Sequence, residues 1–197
     1  MSILAEVPAQ VMQAAAQFAS SDPCKQGLTG IHLQGEPGGI RVGSTNGHFA
    51  FRCVVPFGNL TYMDQKELLV PAASFKKKVT YARKVSITGS EARFCGGKKE
   101  TMDMLETRPC VQSEHTFPVG FDTLWPDPEL MKNSPGSFVA FNEEYMRTIC
   151  DVVAKYPESG TLRMYLNNSP ANPMLLTSET EDFQLQFLLM PIQTREG

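Results

Sequence analysis

The chain has 197 residues, 42% of them hydrophobic, with a formal net charge of -3. That length and composition supply an ordinary packed core for one large domain or two small ones, while the mild acidity excludes a protein that coats nucleic acid by bulk charge. The longest uncharged apolar run, FLLMPI, is far short of a membrane span, and MSILAEVPAQ lacks the basic start and apolar core of a signal peptide, so the chain reads as a soluble, cytoplasmic protein. The five cysteines, Cys24, Cys53, Cys95, Cys110 and Cys150, are scattered with no CxxC pair and no histidine at ligand spacing, so neither disulfides nor structural zinc nor any cofactor is expected.

From Pro8 to Ser20 the alanine-rich segment PAQVMQAAAQFAS places Val11, Ala15 and Phe18 at helical spacing, and Asp22-Pro23 stops it. GLTGIHL, GIRVGST and FAFRCVV follow as three strands, separated by GEPGG and by Asn46-Gly47, a pair suited to a tight hairpin turn. ELLVPAASFKKKVTYA predicts a second helix entered at Pro71, with Phe75, Val79 and Ala82 on one stripe. KVSITG, EARFCG and TMDMLET are three further strands. The first part of the chain is thus one helix-and-three-strand unit written twice, which points to an internal repeat.

Four prolines between Pro118 and Pro135 break the pattern and predict a linker. FNEEYMRTICDVVAKY then has Asn142 as N-cap, Glu143 and Glu144 in the first turn, and Tyr145, Ile149, Val152 and Val153 facing inward. TLRMYLN, MLLTS and DFQLQFLLMP complete a third copy of the unit. The expected organisation is α+β: residues 1–118 as a domain of two units, 119–136 as the linker and 137–197 as a half domain.

The histidines are His32, His48 and His115, and no nucleophile elbow, HExxH, P-loop or GxGxxG accompanies them. His48, in STNGHFAFRCVVP, is either a catalytic histidine at a strand edge or a hairpin residue. The motif census favours a protein that is not an enzyme. Phe183, Leu185, Phe187 and Leu189 alternate onto one face of the last strand, leaving Leu188 and Met190 on the other. Either that strand is buried on both sides or the second face is a contact surface. The segment SFKKKVTYARKV reads either as a solvated face or as a local basic patch.

Several segments resemble the bacterial β sliding clamp, the processivity factor of the replicative DNA polymerase. LTGIHLQGEPGGIRVGSTNGHFAF is similar to the family's middle-domain L-x-G strand followed by A-T-D-G-H-R-L-A, and VPAASFKKKV to its V-P-x-K. HTFPVGFDTLWP is similar to F-P-x-Y, FNEEYMRTICDVV to F-N-x-x-Y-L-x-x-x-L, and FQLQFLLMPIQ to the terminal V-V-M-P-M-R-L. The resemblance implies the DNA-clamp fold, one full clamp domain plus a half domain, with the family's first domain and half of its last without counterpart. It implies a non-enzymatic protein that docks linear motifs of DNA polymerases or repair proteins and tethers them to DNA; the alternative is a regulator or decoy that competes with a true clamp for its partners. The peptide pocket would be formed by Leu28, Thr45, Gly47, His48, Phe49, Ala50, Pro126, Leu188, Met190, Pro191 and Ile192. Double-stranded DNA would be faced, without sequence readout, by Lys76, Lys77, Lys78, Arg83, Lys84, Arg147 and Lys155. The sequence departs from the family at Asn46, Phe49, Ala50 and Gln193, which reshapes the pocket. A third unit without its pair leaves a free sheet edge, to be covered by a second copy pairing through residues 137–193 or by the linker, with Trp125 and Leu130 as the cover.

Overall fold

The computed structural model describes residues 3–56, 59–60, 67–97, 102–118, 120–126, 141–156, 161–165 and 172–192. Residues 127–136 of the expected linker, with Leu130, and Gln193 lie outside them.

Strand β1 (Ala5–Pro8) leads directly into helix α1 (Ala9–Phe18). Pro8, at φ -55° and ψ 131°, is the residue at which extended backbone gives way to helix. The alanines carry no side-chain entropy cost and let the helix lie close to its sheets: Val11, Met12, Ala15, Ala16 and Phe18 are all fully buried. Strands β2 (Gly30–Glu36), β3 (Gly39–Thr45) and β4 (Phe49–Pro56) form the expected meander, with His32 opposite Gly43 and Thr45 opposite Ala50. Beyond β5 (Asn59–Leu60) and β6 (Glu67–Pro71), the second unit consists of α2 (Ala73–Lys76), β7 (Ala82–Ile87), β8 (Glu91–Gly96) and β9 (Asp103–Pro109). Helix α3 (Glu143–Val153) and strands β10 (Leu162–Tyr165), β11 (Met174–Glu179) and β12 (Gln184–Leu189) make the third.

The second helix is a correction to the sequence reading. It is a single turn, and Pro71 ends a strand instead of starting the helix. Lys77 is already extended, at ψ 126°, and the Arg108 guanidinium donates to the carbonyls of Ser74 at 2.9 Å and Lys77 at 2.7 Å, occupying acceptors that a longer helix would use. Val79 reaches the core from this irregular segment, 7% exposed.

The short strands that open the units exchange partners. β1 joins the meander of the second unit through β7, and β6 joins that of the first through β2. The result is a five-stranded sheet, β5-β1-β7-β8-β9, and a seven-stranded sheet, β10-β11-β12-β4-β3-β2-β6. Thus the third unit does not stand apart, because β12 continues the first unit's sheet by pairing with β4 from Leu185–Cys53 to Leu189–Phe49. Among the described residues, β10 is the strand at the edge of that sheet.

One large core lies between the helices and the sheets. Phe18 of α1 sits 4.6 Å from Phe49, 5.5 Å from Phe51 and 5.6 Å from Phe187, between ring centroids, so helix and both sheet halves meet at one aromatic cluster. From α3, capped as expected by the Asn142 side chain accepting from the Glu144 amide at 2.8 Å, Ile149 and Val152 reach the same core. A second, smaller cluster of Ala50, Phe121, Leu175 and Leu188 packs on the opposite face of the long sheet. Both faces of β12 are therefore apolar because both are covered. Among the described residues no helix is long and apolar enough to cross a membrane.

Candidate functional site

The β3–β4 turn is held by its own side chains. Asn46 Oδ1 accepts from the amides of His48 at 2.9 Å and Phe49 at 3.1 Å, while Thr45 Oγ1 accepts from Gly47 N at 3.0 Å and donates to Phe49 O at 2.8 Å. Gly47 takes φ +93°, which an L side chain rarely adopts. His48 contributes backbone: its carbonyl accepts from Met190 N at 3.0 Å, tying the end of β12 to the turn. Its exposed ring lies parallel to that of Tyr145 at 6.2 Å, and Tyr145 in turn stacks on Phe49 at 4.4 Å.

Facing the turn is a strap formed by residues 117–118 and 120–125. Gly120, at φ +89°, starts a 3-10 turn over Phe121–Leu124 that drives Phe121 onto the sheet. There Gly43 makes room, since a Cβ at that position would lie 2.9 Å from the Phe121 ring. Phe117 stacks on His32 at 4.7 Å and meets Phe121 edge-on at 4.8 Å; Trp125 packs against Phe121 at 5.6 Å and beneath the Arg52 guanidinium at 4.5 Å. Arg41, its side chain 15% exposed, anchors the strap by binding Asp122 while also holding Glu36 and Gln34.

Between turn, strap and β12 lies a cavity of about 270 Å³ lined by Leu28, Thr45, Gly47, His48, Phe49, Ala50, Pro118, Phe121, Leu124, Pro173, Leu188 and Met190. Its floor is Ala50 and Leu188, and Leu124 and Met190, 50% and 40% exposed, stand at its rim. The structure thus brings Leu28, Thr45, Gly47, His48, Phe49, Ala50, Leu188 and Met190 together. Pro126 is half-buried outside the cavity, and Pro191 and Ile192 run on past it. The strap's contribution comes from Pro118, Phe121 and Leu124, because the 3-10 turn carries the chain inward before Pro126. Phe121 and Leu124 lay within the predicted linker, and their hydrophobicity was the available signal. Pro173 carried none, being close only through the β11–β12 pairing.

Two further hollows flank the cavity. One of about 340 Å³, sharing His48 and Phe49, is lined by Gln17, Lys25, Lys76, Glu144 and Tyr145 among others. The other, of about 760 Å³, lies across the strap and shares Pro118 and Phe121; His32 and Glu67, 3.3 Å apart, line it. Burial holds the His32 imidazole below its ordinary value of 6.5, against the opposing pull of Glu67.

The expected DNA-facing cations divide. Lys76, Lys77, Lys78, Arg83 and Lys155 are exposed, and Arg147 lies 3.9 Å from Glu143 on α3. Lys84 is drawn onto Glu6 of β1 at 2.8 Å, which holds that carboxyl below its ordinary value. No group of three or more His, Cys, Asp and Glu suited to a metal occurs among the described residues. Burial pushes the thiols of Cys53 and Cys110 up to about 12, far from a nucleophile's range.

No family model and no curated protein matches the sequence. Solved structures do. The β subunit of the DNA polymerase of Streptococcus pyogenes superposes with a TM-score of 0.66 at 15% identity, covering 98% of this chain and 66% of that one. The DNA polymerase III β chain of Streptococcus pneumoniae gives 0.69 at 13% identity, with 98% and 66% covered. A DNA polymerase sliding clamp from Pseudomonas aeruginosa gives 0.64 at 14% identity, with 98% and 67% covered. This chain therefore spans about two thirds of the length of those clamps. With its exchanged opening strands, its helices on one side and its sheets on the other, the chain has the fold of the bacterial DNA polymerase III β sliding clamp.

Proposed function

We propose that this chain is a non-enzymatic docking protein that receives a short linear motif of a replication or repair protein in the apolar cavity beside His48. One observation carries the reading: turn, strap and last strand, from three distant parts of the chain, converge on a cavity of about 270 Å³ with apolar side chains at floor and rim. That space suits a Leu or Phe anchor, and the Met190 and Leu124 side chains at the mouth can adapt to it. Burying one such anchor contributes about 2 kcal/mol, and a micromolar complex needs about 8, so a second apolar contact and backbone hydrogen bonds at the rim complete the affinity. The exposed lysines at the end of α2, with Arg147 on α3 and Lys155 just past its end, suit phosphate contacts to duplex DNA, which would make the docked partner a tethered one. The domain organisation that goes with this reading is two units in residues 1–118 and a third in 137–197, in a cytoplasmic protein. A second copy pairing through the third unit would meet β10, the edge strand of the long sheet among the described residues.

The test is titration of a labelled peptide of the Q-L-x-L-F type. A micromolar Kd is expected, with binding lost in Met190→Asp while the circular dichroism and thermal transition stay those of the parent, because Met190 is 40% exposed. Absence of binding, or a Met190→Asp variant that binds normally, overturns the proposal.

A further inference from the structure

The three rings of the strap sit on one cross-strand row of the long sheet. His32 lies opposite Leu69 of β6 and Gly43 of β3, and Gly43 lies opposite Arg52 of β4. Phe117 stacks on His32 with 12° between the ring planes, Phe121 fills the space at Gly43, and Trp125 lies beneath Arg52. These three seats differ in charge. Gly43 carries none, and the Arg52 guanidinium keeps its own through the neutral and acid range. His32 is the seat whose charge changes near neutral pH.

The end of the strap that rests on His32 is also tied to the apolar cavity. Phe121 N donates to Pro118 O at 3.2 Å, Phe117 meets the Phe121 ring edge-on, and both Pro118 and Phe121 line the cavity. A shift of Phe117 is therefore passed to the cavity wall.

Protonation makes His32 a poor seat. Its side chain is 12% exposed, so an imidazolium beneath Phe117 loses most of its hydration. The surrounding charges only partly replace it. Glu67 of β6, at 3.3 Å, and Asp122 of the strap favour the charged ring, while Arg41 of β3 opposes it and itself binds Asp122 and Glu36. Glu114 and His115 line the hollow that His32 also lines. Burial prevails, and the imidazole stays below its ordinary value. A proton thus favours the arrangement in which Phe117 has lifted and water reaches the ring.

We infer that His32 is a proton-operated latch for the strap: its protonation releases Phe117, and with it the Phe121 wall of the cavity, so that acid weakens peptide docking. The consequence for docking rests on the reading of the cavity as a peptide site, whereas release of the strap is measured without peptide.

The experiment follows the emission of Trp125, the single tryptophan, in the full chain between about pH 7.5 and about pH 5.5, and titrates the Q-L-x-L-F peptide over the same range. On acidification the parent's emission should shift to the red with its circular dichroism unchanged. The peptide Kd should rise about three-fold or more, and one proton with the ordinary value of 6.5 in the lifted state caps the loss at about ten-fold. His32→Phe keeps a ring beneath Phe117 and takes no proton, so its emission should stay constant and its Kd should lose most of the pH dependence. Glu67, with its side chain 61% exposed, can be changed without touching the core; Glu67→Gln removes the pull that favours the charged ring and should deepen the acid loss. His115→Gln should respond as the parent does. A parent emission that does not change with pH, or that shifts equally in His32→Phe, overturns the latch and leaves the docking site standing. If the emission follows His32 and no peptide binds at any pH, the latch holds and the docking reading fails. If peptide binding weakens equally in the parent and in His32→Phe, the proton acts at His48 in the cavity and the inferred coupling is overturned.

Discussion

Leu188 lies directly opposite Ala50 where β12 pairs with β4, and these two side chains are the floor of the apolar cavity. The cavity thus exists because the third unit's last strand continues the first unit's sheet. Ala50→Leu should fill the floor without unfolding the protein, and peptide affinity should fall at least ten-fold. Leu188 is 3% exposed, so Leu188→Ala should destabilise the fold by about 2–4 kcal/mol in denaturant titration. Parent-like peptide binding by Ala50→Leu would place the anchor elsewhere.

Gly43 faces the Phe121 ring with no room for a methyl group, as the 2.9 Å approach of a built Cβ shows. Gly43→Ala should lift the strap at a cost of about 1–3 kcal/mol. The single tryptophan, Trp125, packs against Phe121 and reports the change: its emission should shift to the red as the strap opens. An unshifted spectrum with parent stability would show that the strap does not depend on this contact.

Stability should fall as the pH is lowered, in a window set by His32. Burial keeps the folded imidazole below its ordinary 6.5; the neighbouring Arg41 adds to the depression, while Glu67 and Asp122 oppose it. A proton therefore binds the unfolded chain more readily. This contribution is fully present above about pH 6.5 and is lost as pH falls through the folded value. The Glu6 carboxyl, lowered by Lys84, adds its own loss only below its ordinary 4.5. In His32→Gln the decline that sets in below about pH 6.5 should be reduced, as read from denaturant midpoints; an unchanged slope would assign it to another group.

Assembly through the third unit predicts a dimer mass by light scattering at micromolar concentration. The contact should involve β10, the edge strand of its sheet among the described residues, where Met164 is 48% exposed. Met164→Lys should return the mass to that of a monomer. A parent protein that is already monomeric would rule this pairing out.

The sequence by itself determined the repeated unit, because its signals are local. Alternation marks β2, β3 and β4, alanine spacing marks α1, Asn142 caps α3, and Asn46-Gly47 forces the turn whose side chain-to-backbone bonds hold His48. Most of the cavity was also legible there, since Thr45 to Ala50 and Leu188 to Met190 sit in motifs with recognisable order. What only the tertiary structure decided is how the units join. Four- and five-residue strands such as Ala5–Pro8 and Glu67–Pro71 are too short to show a period, and the partners they take, β7 and β2, are distant in the chain. The length of α2 was set by Arg108, more than thirty residues away, taking the carbonyls of Ser74 and Lys77. In the same way Phe121, not Pro126, became the strap's wall, because Gly43 on a distant strand leaves room for its ring.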